Sequence, residues 1–134
     1  MMNTINSFAP LLGRILIAAL FIPAGISKIT GFAGTSGYMA SKGLPMADVL
    51  LVLTIIIELG GGIMLLAGVR AKEVALIIFL FLIPVTVVFH GYWGIEDAAA
   101  QSKEQIAFMK NIAIMGGLLF IAAFGAGKFA VDKE

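Results

Sequence analysis

The chain contains no cysteine, a single histidine and only four prolines in 134 residues, and 13% of it is charged. Without cysteine there is no disulfide, no dithiol relay and no thiolate-held iron–sulfur cluster. One histidine rules out bis-histidine haem within one chain, and with scattered acids it makes a poor metal site, so no metal is expected. A formal net charge of +1 with no basic cluster argues against a nucleic-acid partner. No glycine-rich phosphate loop is present, because Gly60-Gly61-Gly62 lies inside an apolar stretch. No Ser–His–carboxylate pattern is signalled, so catalytic residues stay unknown at this level.

What the chain does have is hydrocarbon. Hydrophobic residues make up 60% of it, and the mean hydropathy is +1.06. Four apolar runs, 11–25, 49–68, 74–89 and 106–123, are each long enough to approach a membrane span of about 20 residues. The expected fold class is therefore all-α: an integral membrane four-helix bundle, a single domain over 1–134. Its transmembrane helices are expected at about 9–28, 47–68, 73–91 and 105–125. Pro10 suits the first turn of helix 1, and Pro23 predicts a bend within it. The segment before Leu11 has no basic side chain, so no cleaved signal is expected.

The loop 30–46 is too apolar for a plain linker. Thr35 or Ser36 would cap a short helix through Lys42, with Gly43 and Pro45 as stop signals, and Phe32, Tyr38, Met39 and Leu44 would rest it on the bilayer surface. Tyr92 and Trp93 fit an aromatic belt after helix 3, and 94–104 forms a polar outer loop. Arg14, Arg70, Lys72, Lys128 and Lys133 fall on one side; Lys28, Lys42 and Lys103 fall on the other. That bias puts both termini in the cytoplasm.

Charge inside hydrocarbon costs about 3 kcal/mol per residue on insertion scales, so the interrupted runs locate the candidate site. Arg14 and Glu58 lie at neighbouring depths, Lys110 and Asn111 one to two turns toward the outer side, and Lys28 and His90 at the outer helix ends. Together they predict a polar column from Arg14 through Glu58 to the outer mouth. Small residues at Ala113 and Gly117 predict a close helix contact. Two readings stay open for the charged residues: an Arg14–Glu58 ion pair, with Lys110 satisfying Glu58, that only fixes register, or a working site. Lys28 reads equally as a snorkelling end residue.

Several motifs carry a resemblance. Gly13-Arg14 with Leu20-Phe21, Gly25 and Lys28 resembles the first-helix pattern of the DoxX family of small bacterial inner-membrane proteins. Tyr38-Met39-Ala40-Ser41 with Gly43 and Pro45 resembles the first loop of its proteobacterial branch. Glu58-Leu59-Gly60-Gly61-Gly62, then Leu65, Gly68 and Arg70, resembles its second helix. His90 before Tyr92-Trp93 resembles the end of its third. Phe108-Met109-Lys110-Asn111 with Gly116-Gly117 is the most specific piece, while the ending 125–132 departs from the usual pattern. The resemblance implies a multi-pass protein of the bacterial inner membrane, associated with oxidoreductases or oxidative-stress systems.

Residues and resemblance together lead to one leading expectation: a membrane subunit of a quinone-linked redox or oxidative-stress system. Its polar intramembrane pocket, built from Arg14, Lys28, Glu58, His90, Lys110 and Asn111, would hold a quinone or similar lipid-soluble molecule. No intrinsic cofactor is expected; the electrons would come from a soluble oxidoreductase partner, and a homo-oligomer is compatible with the sequence. A proton or small-molecule transporter and a non-catalytic scaffold for soluble oxidoreductases are the alternatives.

Overall fold

The computed structural model describes residues 2–132; Met1, Glu134 and Lys133, counted above among the basic residues, lie outside the described residues. Five helices follow one another: α1 (Met2–Thr30), α2 (Phe32–Ser41), α3 (Ala47–Ala67), α4 (Ala71–His90) and α5 (Ala98–Phe124). All but α2 are long and apolar enough to cross a membrane. Their outward faces carry Leu12, Leu16, Ile77, Leu80 and Phe120, all exposed, which suits lipid and not water. The result is a four-helix membrane bundle.

Helix ends differ from the sequence expectation where tertiary contacts intervene. α1 starts at Met2, not near residue 9, with Pro10 and Pro23 both inside it. The ring of Phe8 stacks on Phe129 of the C-terminal segment, centroids 5.0 Å apart, so the extra turns are held by a contact without a local signal. α5 starts at Ala98, because the Asp97 carboxylate accepts from the Ala100 N–H at 2.9 Å and caps the helix. α2 begins at Phe32 without a side-chain cap. Ser36 instead donates its hydroxyl proton to Asp48 at the start of α3.

α1 lies along α3, α3 touches the first half of α4, and α4 runs beside α5 for most of its length. The tight core sits toward the end of the bundle that carries the termini, where Phe21, Leu65, Ala75, Ile78 and Leu118 are buried together. α3 closes there with a Schellman turn: Val69 N–H donates to Met64 O at 2.8 Å and Gly68 N–H to Leu65 O at 3.2 Å. Gly68 takes φ +78°, a left-handed value that glycine adopts without a side-chain penalty. The C-terminal segment folds back over this turn. Val131 N–H donates to Ala67 O and Asp132 N–H to Gly68 O, while the Asp132 carboxylate accepts from the Arg70 N–H at 2.7 Å. The opposite half of the bundle contains two cavities, and a third, of about 280 Å³, lies between α1 and α5 beside Arg14 and Gly117.

Candidate functional site

Glu58 stands in the one stretch of α3 that is not a regular α-helix. Residues Ile56–Gly60 form a π-helical turn, a wider coil that is rare and frequently marks functional sites. Next to it α1 comes unusually close. A Cβ on Gly25 would lie 2.8 Å from Leu59 Cβ and 2.9 Å from Leu59 N, nearer than any side chain permits. One turn after Gly25, Lys28 Nζ donates to Glu58 Oε1 at 2.8 Å. The Glu58 side chain is 9% exposed and that of Lys28 29%, so the pair is sheltered on the acid's side and reaches the rim on the lysine's.

A second polar pair closes the opposite wall. His90 Nδ1 and Glu104 Oε2 lie 2.9 Å apart, joining the end of α4 to α5. Both pairs line a cavity of about 240 Å³ whose remaining walls include Tyr38, Thr54, Phe81 and Val85. Tyr38, brought in by α2, stacks on Phe89 with centroids 5.7 Å apart. One turn below His90, buried Asn111 donates its amide proton to Thr86 Oγ1 at 3.1 Å.

Of the expected site residues, the structure gathers Lys28, Glu58 and His90 around this chamber and leaves Arg14, Lys110 and Asn111 out of its walls. The expected Arg14–Glu58 pair does not form. Arg14 is 1% exposed and spends its donors on backbone: Nε on Ala126 O at 3.0 Å, Nη1 on Leu65 O at 3.1 Å and Leu66 O at 2.7 Å, and Nη2 on Phe129 O. These carbonyls include the open C-terminal end of α3, whose dipole favours a cation.

Lys110 is exposed on the outside of the bundle and does not satisfy Glu58. Ala113 is exposed as well, and a Cβ on Gly117 would meet nothing closer than Ile17 Cδ1 at 3.5 Å, so the tight helix contact lies at Gly25 instead. Buried Phe21, Leu65, Ile78 and Leu118 interrupt the expected polar column between Arg14 and Glu58.

One geometric rule accounts for these outcomes. Side chains on a helix lean toward its N-terminus. Arg14 on α1 therefore leans toward the termini, away from Glu58. Lys28 on the same helix leans inward, to meet a Glu58 that leans outward from α3. Lys110 leans to the outer surface, where a snorkelling ammonium finds water or headgroups. Residues 110 and 111 are about 100° apart around the helix, so Asn111 turns inward as Lys110 turns out.

Glu104 and Thr54 carry no site expectation from the sequence, and Tyr38, expected to rest α2 on the bilayer surface, also lines the chamber. Glu104 had a usable signal, since 104, 108 and 111 share one helical face. Glu104 falls at the end of the expected 94–104 loop because the apolar run starts only at 106.

The family model of DoxX matches residues 9–91. The chain is 36% identical over 132 residues to the inner membrane protein YqjF of Escherichia coli, covering 98% of this chain and 95% of that one. It is 31% identical over 124 residues to the inner membrane protein YphA of the same organism, covering 92% and 88%. A more distant likeness, 23% over 130 residues, links it to a Surfeit locus protein 4 homolog of Schizosaccharomyces pombe; it covers 96% of this chain but 38% of that protein. No solved structure matches. Four membrane-length helices and two full-length inner-membrane relatives make this a multi-pass inner-membrane protein, and the chain belongs to the DoxX family.

Proposed function

We propose that the chamber between Lys28, Glu58, His90 and Glu104 binds the ring of a lipid-soluble quinone, and that the protein serves as the membrane subunit of a quinone-linked redox system. The observation that carries this reading is the gathering of an ion pair at 2.8 Å and a histidine–carboxylate contact at 2.9 Å on the walls of one small cavity within a membrane bundle. Ionisable groups at membrane depth are costly and mark ligand or proton pathways. Cavities with apolar walls and a few convergent polar groups are the usual form of small-molecule sites.

The chemistry of the lining suits a dicarbonyl ring. The Lys28 ammonium carries three protons and uses one on Glu58, so it has donors to offer a carbonyl oxygen; the Tyr38 hydroxyl offers another. Phe81 and Phe89 supply flat apolar walls. A quinone gains two protons with two electrons on reduction and releases them on oxidation. Glu58 and Glu104, one in each pair, accept or return those protons. The electrons pass to or from a soluble oxidoreductase partner, since a chain without cysteine has no thiol couple of its own. Both termini face the cytoplasm, as the basic-residue bias indicates, and the chamber opens toward the other side.

Purified protein in lipid nanodiscs, titrated with a ring-only dimethoxybenzoquinone, tests the reading. Lys28→Met and Glu58→Gln should each weaken binding about tenfold, the loss of one good polar contact, while Lys110→Met leaves it unchanged. Absence of saturable binding to the unaltered protein would refute the proposal.

A further inference from the structure

α3 and α4 touch at one level and part beyond it. A Cβ on Gly61 would lie 3.1 Å from Ile78 Cδ1, so the helices are in close contact there. Toward the outer end, Leu50 and Leu53 of α3 face Pro84 and Val88 of α4 across a second cavity of about 340 Å³. Leu53 is 50% exposed and Val88 36%, which places the mouth of this cavity on the lipid-facing surface between the two helices. Its lining is hydrocarbon apart from Thr54.

The two cavities adjoin. Met39, Thr54, Phe81, Val85 and Phe89 line both, so charged groups face one compartment and hydrocarbon the other across a shared wall. Met39 and the two phenylalanine rings can move by rotation about side-chain bonds alone. The geometry points to a single-tailed amphiphile as the occupant, its head in the polar chamber and its hydrocarbon tail leaving through the gap between α3 and α4 into the bilayer. This rests on the ligand reading above and extends it. The site is loaded sideways from the membrane, and the tail sets the direction from which the head arrives. A tail gains little by exchanging lipid for an apolar cavity, because the two are equally apolar. The second compartment therefore governs access and orientation more than affinity.

The decisive experiment reads position. Two probes carry a photoreactive diazirine midway along a decyl chain, one headed by a dimethoxybenzoquinone ring and the other by a plain hydroxyl. After irradiation in nanodiscs, the quinone probe should label Leu50, Leu53 or Val88 in preference to Leu16 of α1 or Phe120 of α5. Val88→Trp and Leu53→Trp, which fill the gap from opposite walls, should each cut portal labelling about tenfold while the ring-only quinone still binds. Labelling by the quinone probe alone supports both the tail portal and the quinone head. Equal portal labelling by the hydroxyl probe supports the portal and counts against the quinone reading. Even labelling around the bundle, or labelling unmoved by both tryptophans in proteins that melt normally, would overturn the portal.

Discussion

Replacing Arg14 should loosen the end of the bundle that carries the termini without touching the chamber. The guanidinium reaches four backbone carbonyls and, among the described residues, no carboxylate. In Arg14→Met the side-chain volume stays but every donor goes. Leu65 O keeps the Gly68 N–H at 3.2 Å, which leaves Leu66, Ala126 and Phe129 O without the donor Arg14 supplied. A stranded buried carbonyl costs about 1–3 kcal/mol, but Leu66 is 39% and Phe129 38% exposed, so the loss is about 3 kcal/mol, most of it from buried Ala126. Arg14→Lys keeps the charge beside the α3 C-terminus but loses the planar fork, and about half of that cost remains. Thermal unfolding in nanodiscs reads the stability, and hydrogen exchange reads the place: the Val131 and Asp132 amides, protected by Ala67 O and Gly68 O, should exchange much faster. Ring-only quinone binding should survive in the folded fraction. Wild-type melting with both amides still protected would refute the account of Arg14 as a backbone clamp.

Three further outcomes follow from the geometry. Glu58→Ala strands the Lys28 ammonium, but that side chain is 29% exposed. The cost should be about 2 kcal/mol, below the 3–5 of a fully buried pair, with Glu58→Gln milder; equal melting of all three proteins would contradict the pairing. Gly25→Ala should cost about 1–3 kcal/mol by overpacking against Leu59, whereas Gly117→Ala, with nothing nearer than 3.5 Å, should melt like wild type; a reversed order would show that the helices approach elsewhere. Reporter tags at both termini should read cytoplasmic and a probe at Lys42 should label from outside, and labelling of Lys42 only after lysis would invert the orientation.

The fold was legible because the bilayer imposes a coarse rule: four apolar stretches of spanning length become four helices. The site was legible only as a set of depths. Depth put Arg14 beside Glu58, and side-chain lean separated them. Lys28, which reads equally as a snorkelling end residue, turned inward for the same reason. Arg14's true partners are peptide carbonyls, which every residue possesses and no sequence pattern marks. Glu104 lay beyond the apolar run and so escaped notice, although a helix can extend well past the membrane when an Asp97 caps it.

The π turn at Glu58 has a bearing on how this protein tolerates insertion and deletion. A π turn amounts to one additional residue accommodated within an α-helix. Deleting Ile57 would let α3 run as a regular helix with its hydrogen bonds intact. The turn absorbs its extra residue in a wider coil, so the helix on either side of the deletion would keep its facing. Leu50, Leu53 and Thr54 before the turn, and Leu65 with the Schellman motif after it, would present the same side chains to their neighbours. What would shift is the Glu58 carboxylate, which the turn itself carries. Among relatives, a length difference of one residue at this point should therefore spare the fold and change the reach of the acid that meets Lys28.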